Sequence, residues 1–382
     1  MKPQLRATAI LPFCHSAILQ FSTLALVVFV LAGVAVARAQ IDPKTALLER
    51  AAWDALVAGQ AHVAADDFRQ ALANDPKNPR LYLGAGTAAY LERRDTDAKD
   101  ALDHALALDP RMTRARALLG QVLHRSGDLL GSIRAYETLT TEVPDDKEAL
   151  ATLGRWRREA DLQERMQQAI GQHFTVSFEG PEEAALATKA LDSLERAYWR
   201  IGDTLGTYPT APIAVVLYTG EQFRDITRSP SWAAGAYDGT IRMPMRGAFD
   251  NEKELDRVLA HEFTHALIRS LAARGVPTWL NEGLATILES GDVRWAEQQL
   301  RQAHAPVPLA TLQASFGRLS GDQAQLAYAT SAMAVRRLVE EAGGFAIANL
   351  LRDLGDGVDF DAAFTHRIQR TFADFQTSLA AK

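Results

Sequence analysis

Cysteine is almost absent: the 382 residues contain one, Cys14. No disulfide can form within the chain, and a metal site built on several thiolates is excluded. Any metal ligands here must come from His, Asp or Glu. Aromatic residues are sparse at 8%, and basic residues are outnumbered by acidic ones, 41 to 47, for a net charge of −6. There is no basic patch or Arg-rich run, so a nucleic-acid partner is not expected. What is present, 47% hydrophobic and 23% charged residues, is the composition of a folded chain long enough for two or three domains.

A largely apolar stretch runs from about Ala17 to Val36, preceded by Lys2 and Arg6 and ended by Ala37-Arg38-Ala39 with Gln40 behind it. A basic start, an apolar middle and an A-x-A ending predict a secretory signal peptide over residues 1–39. The chain is then expected to be exported, as a periplasmic or secreted protein. An uncleaved segment of this length would instead anchor it in a membrane, and only then is membrane contact expected. The small residues at the end of the stretch favour cleavage. Cys14 lies inside it and lacks the small-residue context of a lipid-attachment site. Cleavage removes Lys2, Arg6 and Arg38 and no acid, leaving a charge of −9 and no cysteine.

Pro76, Pro110 and Pro144 recur every 34 residues. Ala52, Gly86, Gly120 and Gly154 form a small-residue column of the same period, Phe68, Leu102 and Tyr136 a large apolar one, and Ala71, Ala105 and Leu139 a third. Small residues let two helices approach, the large residue fills the gap, and proline ends the unit. This period and pattern resemble the tetratricopeptide repeat, implying an all-α solenoid of about three repeats over residues 44–156. The charged segment 155–172 is read as a capping helix, giving a first domain of 44–172. Such an array is a spacer or, the favoured reading, a surface for a protein partner.

The pattern changes near residue 173, where the second domain, 173–382, is placed. Phe174, Val176 and Phe178 alternate as in a strand, a helix is expected over 182–205, and Pro212–Tyr218 reads as a buried strand. Ala234–Met245, with Asp238-Gly239 at its middle, reads as a hairpin or edge strand. A helix follows over about 252–271, and it contains His261-Glu262-Phe263-Thr264-His265. On a helix, residues four apart share a face, so the two imidazoles can converge on one metal. Glu262 is placed to act as general base on a metal-bound water. A catalytic zinc site needs a third protein ligand. Glu282 lies 17 residues after His265, beyond the turn Arg274-Gly275-Val276-Pro277, on a helix that Thr278 is expected to cap.

His261-Glu262-Phe263-Thr264-His265 followed by Trp279-Leu280-Asn281-Glu282-Gly283-Leu284-Ala285 resembles the gluzincin metallopeptidases, and within them the peptidase MA-like group with its W-L-x-E-G-x-A second motif. The resemblance spans about residues 173–380. It implies an α+β zincin-like domain, one Zn²⁺ per chain held by His261, His265 and Glu282, Glu262 as base, and an edge strand at 235–242 that pairs with an extended peptide. The interval of 17 residues is slightly shorter than in thermolysin-like members. Thr286 stands where those place an aspartate behind the metal ligands. Support for His261 is then expected from Glu289 or a backbone carbonyl.

A developing oxyanion needs a donor besides the metal, and Tyr328 is the candidate, with Tyr237 and His304 behind it. His173 and His366 are read as structural or surface histidines, and Trp279 as packing beneath the metal helix. The expected function is hydrolysis of peptide bonds by an exported zinc metallopeptidase carrying a protein-binding repeat domain. The alternative is a catalytically weak or inactive scaffold whose repeats do the work.

Overall fold

The computed structural model describes residues 43–180, 183–227, 235–244, 251–303, 307–313, 316 and 319–380. The expected signal segment, Ala234, Met245 and His304 lie outside them. Among the described residues, no helix is long and apolar enough to cross a membrane.

Six helices come first: α1 (Pro43–Val57), α2 (Ala61–Asn74), α3 (Pro79–Leu91), α4 (Asp95–Leu108), α5 (Thr113–Arg125) and α6 (Leu129–Glu142). They pack as three antiparallel pairs with a 34-residue offset. Leu102 is fully buried against Gly86, where an added Cβ would stand 2.8 Å from its side chain, and Tyr136 fills the space over Gly120, where the distance would be 2.5 Å. The small and large columns of the sequence therefore meet face to face. Side-chain caps by Asn78, Asp128 and Asp146 satisfy the first free amides of α3, α6 and the next helix.

That next helix, α7, spans Lys147–Arg165, and Met166–Ile170 forms a strand, β1. The capping helix expected over 155–172 therefore ends earlier. Met166-Gln-Gln-Ala-Ile has no strand alternation of its own. It is extended because it pairs antiparallel with β2 (Phe174–Glu179) over the register Met166↔Glu179 to Ile170↔Thr175.

The chain continues through α8 (Ala184–Leu205), β3 (Ile213–Tyr218), α9 (Gly220–Thr227), β4 (Ala236–Tyr237) and β5 (Ile241–Pro244). The sheet order is β1-β2-β3-β5-β4, with β2, β3 and β5 parallel and both outer strands antiparallel. Alternate residues of the central strands, such as Val176, Leu217 and Met243, enter a core shared with α8 and α10 (Glu252–Leu271). The opposite face, with Ser177, Val216 and Arg242, turns toward α5 and α7 of the repeat array.

The rest is helical: α11 (Thr278–Ser290), α12 (Arg294–Ala303), α13 (Gly321–Gly355), α14 (Phe360–Ile368) and α15 (Phe372–Ala380). α13 begins seven residues before Tyr328, at a Ser320–Gln323 capping box, and breaks at Gly343, where φ is +78°. Thr278 does not cap α11. Pro277 holds the cap position, and the Thr278 hydroxyl donates to the Gln313 carbonyl. Trp279 is fully buried and stacks on Phe372, as packing rather than as a substrate contact.

Candidate metal centre

α10 buries Leu255, Val258, Leu259, Phe263 and Leu267 in the core and carries His261 and His265 at the edge of that face. α11 crosses it with Trp279, Leu280, Leu284 and Leu288 inward. Glu282 and Glu289 are two turns apart on α11, so both point at α10. The Glu282 Oε2 atom lies 3.8 Å from His261 Nε2 and 3.7 Å from His265 Nε2. The three ligand atoms all fall within 4.8 Å of one another. Donors bound about 2.0–2.1 Å from a tetrahedral ion stand about 3.4 Å apart, so these three atoms are spaced as a set that could hold such an ion. His₂Glu is also a donor set that leaves one position of a four-coordinate zinc open.

The far nitrogens of both imidazoles are held. His261 Nδ1 lies 2.8 Å from Glu289 Oε2, and His265 Nδ1 lies 3.2 Å from Asn281 Oδ1. With Nδ1–H donating to these acceptors, Nε2 of each ring keeps its lone pair toward Glu282. Arg257 in turn donates to Glu289, 3.0 Å away, and to Glu254. Glu289 was one of two alternatives left by the sequence. In the sequence Asn281 is only one position of the W-L-x-E-G-x-A motif; its contact with His265 arises where α11 crosses α10.

Glu262 is almost fully buried between the metal helix and the backbone of Gly235, where an added Cβ would lie 2.6 Å from Glu262 Oε1. Only glycine permits this approach, which brings the start of β4 directly over the carboxyl. Burial, followed by the charges of Glu282 and Glu289 and against the pull of His265, pushes the Glu262 carboxyl up to about 7. Tyr328 lines the same cleft of about 300 Å³, close to the Glu282 carboxylate. Burial first, then the Glu282 and Glu262 carboxylates, raise its pKa, so it stays a proton donor. Tyr237 sits on β4, with its ring near Arg269 rather than in this cleft. His173 pairs with Glu195 and stacks on Tyr198, and His366 is exposed, so neither joins the site.

Gly283 explains how Tyr328 arrives. A Cβ there would stand 2.5 Å from the Ser331 carbonyl oxygen and from Val335. This close crossing of α11 and α13 sets the position of Tyr328, one turn before Ser331. Gly283→Ala is expected to cost about 1–3 kcal/mol of stability by overpacking, read from a chemical denaturation midpoint.

Residues 193–375 match the family model described as the Peptidase MA superfamily. That stretch includes His261, Glu262, His265, Asn281, Glu282, Glu289 and Tyr328, so the chain carries a Peptidase MA domain behind its helical repeats. No curated protein matches the chain. Similar solved structures include the first tetratricopeptide domain of Spaghetti (RPAP3) bound to an HSP90 peptide, 21% identical, covering 31% of this chain and 94% of that one with a TM-score of 0.30. Two others are the Sgt2 repeat domain from Aspergillus fumigatus (20% identity, 34% and 88% coverage, TM-score 0.32) and MamA (23%, 32% and 72%, 0.31).

Proposed function

We propose that this chain is an exported zinc-dependent peptidase that hydrolyses peptide bonds and carries a repeat array for a protein partner. The observation behind this reading is the convergence of His261 Nε2, His265 Nε2 and Glu282 Oε2, with a buried carboxyl, Glu262, directly beside them. The exported location rests on the N-terminal sequence alone.

His261, His265 and Glu282 would hold the zinc, which when bound supplies Lewis acidity to water and to a carbonyl. Glu262 accepts the proton of the attacking water and passes it to the leaving amine. The Tyr328 hydroxyl is a donor within the same cleft and can turn to the developing oxyanion. Among the described residues β4 is an outer strand of the sheet, and its outer edge offers backbone donors and acceptors to an extended substrate. The Glu289 and Asn281 contacts fix both imidazoles before the metal arrives.

Two experiments test this reading. Digestion of a peptide mixture by the zinc-loaded protein, against the same protein with chelator, should yield cleavage products only in the first. Identical product patterns in both would remove the metal from the reaction. Glu289→Ala should weaken zinc binding about 10- to 100-fold in competition with a chromogenic chelator, because His261 loses its orienting acceptor.

A further inference from the structure

The cleft of about 300 Å³ does not run evenly past the three metal-site residues. From α10 it takes Val258 and His261 but not His265, and from α11 it takes Thr286 and Glu289 but not Glu282. Val258 lies about one helical turn before His261, and Thr286 one turn beyond Glu282. The cavity therefore extends from His261 to the side away from His265.

Trp295, the second residue of α12, is part of the lining of this cavity. It takes no part in holding the metal or moving protons. Its position is fixed by its neighbours. Val293 and Ala296 are buried against Ala329 and Ala332 of α13. Arg336 of α13 donates to Glu297 at 2.7 Å. Gln299 donates to Gln325, which lines the same cavity, at 3.4 Å. Trp295 itself stays 39% exposed. A single exposed apolar residue is ordinary on a protein surface. This one shares a cavity with Glu262, where a substrate side chain has to be accommodated.

The charges in the lining are already matched. Arg257 donates to Glu254 at 2.9 Å and to Glu289 at 3.0 Å, and Glu289 holds His261 Nδ1 at 2.8 Å. What remains for a substrate side chain is Val258, Thr286, Gln325 and the indole of Trp295. This set is uncharged and has one large apolar surface. A volume of about 300 Å³ is at the lower end for a ligand pocket, which suits one side chain rather than several. Gly235 covers Glu262 and lines the same cavity. A peptide extended along β4 with its scissile bond at Glu262 would thus have a neighbouring side chain at this cavity.

We propose that Trp295 forms the wall of a side-chain pocket that selects substrates with a large apolar residue, aromatic above all, next to the cleaved bond. The proposal rests on the peptidase reading of the metal site. An aromatic ring packed on the indole leaves water together with it and gains an offset or edge-to-face contact. An acidic or basic side chain would lose hydration there, with the charges of the lining already engaged with one another.

The test uses the full chain with Glu262→Gln, zinc-loaded, so that peptides bind without being cut. Calorimetry compares acetylated and amidated alanine-based decapeptides with Phe, Glu, Lys or Ala at one central position. The Phe peptide should bind about ten- to a hundredfold tighter than the Ala peptide, and the Glu and Lys peptides no tighter than Ala. Adding Trp295→Ala should reduce the Phe preference to within about threefold, whereas Trp295→Phe, which keeps a ring, should retain most of it. Unchanged zinc content and melting temperature verify that both variants are folded. Wild type should cut the Phe peptide at a bond flanking the Phe, as read by mass spectrometry. A Phe preference that is absent from the starting chain, retained in Trp295→Ala or lost equally in Trp295→Phe overturns the proposal. Tighter binding of the Glu or Lys peptide than of the Phe peptide, or a cut remote from the Phe, overturns it as well. If wild type cuts no peptide yet the Trp295-dependent preference is present, the peptidase reading alone fails.

Discussion

Glu262→Gln should retain the metal and lower peptide hydrolysis by about a hundred- to ten-thousand-fold. Glutamine keeps the shape of the side chain and its place under Gly235, where an added Cβ would be 2.6 Å from the carboxyl oxygen. It cannot accept the proton of the attacking water. The ligands His261, His265 and Glu282 are untouched, so zinc stoichiometry should match wild type, while turnover of a cleaved peptide falls. Metal loss in this variant would assign Glu262 to the metal site instead. Equal turnover would leave it without a role as base.

The second large effect concerns how the repeat array and the sheet are joined. Arg242 on β5 donates to Glu159 on α7 at 2.8 Å and to the Tyr218 hydroxyl at 2.6 Å. Glu159 also faces His124 on α5 at 2.8 Å. The Glu159 and Arg242 side chains are only 3% and 8% exposed. Burial alone would raise the Glu159 carboxyl, but His124 and Arg242 hold it below its usual value. Its folded pKa is thus depressed, and the stability it contributes is present above the usual 4.5 and lost as pH falls through the acidic range below it.

Glu159→Leu leaves Arg242 buried with only the half-exposed Asp238 as counter-charge. It should cost about 3 kcal/mol, at the lower end for a broken buried pair, measured by urea denaturation. Replacing both residues with leucine should recover most of that loss, because the uncompensated charge is then gone. A loss below about 1 kcal/mol for the single variant would show that Arg242 reaches water.

Sequence periodicity carried the elements that depend on their own residues. The 34-residue columns became the close Leu102–Gly86 and Tyr136–Gly120 packings, and α10 spans Glu252–Leu271 as its apolar spacing required. Pairing-dependent structure was less legible. β1 is extended through its ladder to β2, not through any alternation in Met166–Ile170. Thr278 had the chemistry of a cap, but the neighbouring Gln313 carbonyl took its hydroxyl. In the candidate site, the two histidines, Glu262 and Glu282 could be named because their spacing is helical or belongs to a known pattern. Asn281, Arg257 and Gly235 could not, because their roles arise where α10 meets α11 and β4.

The most direct test of the account is metal analysis of the purified chain prepared without chelator, alongside Glu282→Gln and the double replacement of His261 and His265 by alanine. The account predicts about one zinc per wild-type chain, far weaker retention in Glu282→Gln and none in the double variant. A wild-type chain that binds no zinc, or a double variant that binds it equally well, would contradict the account.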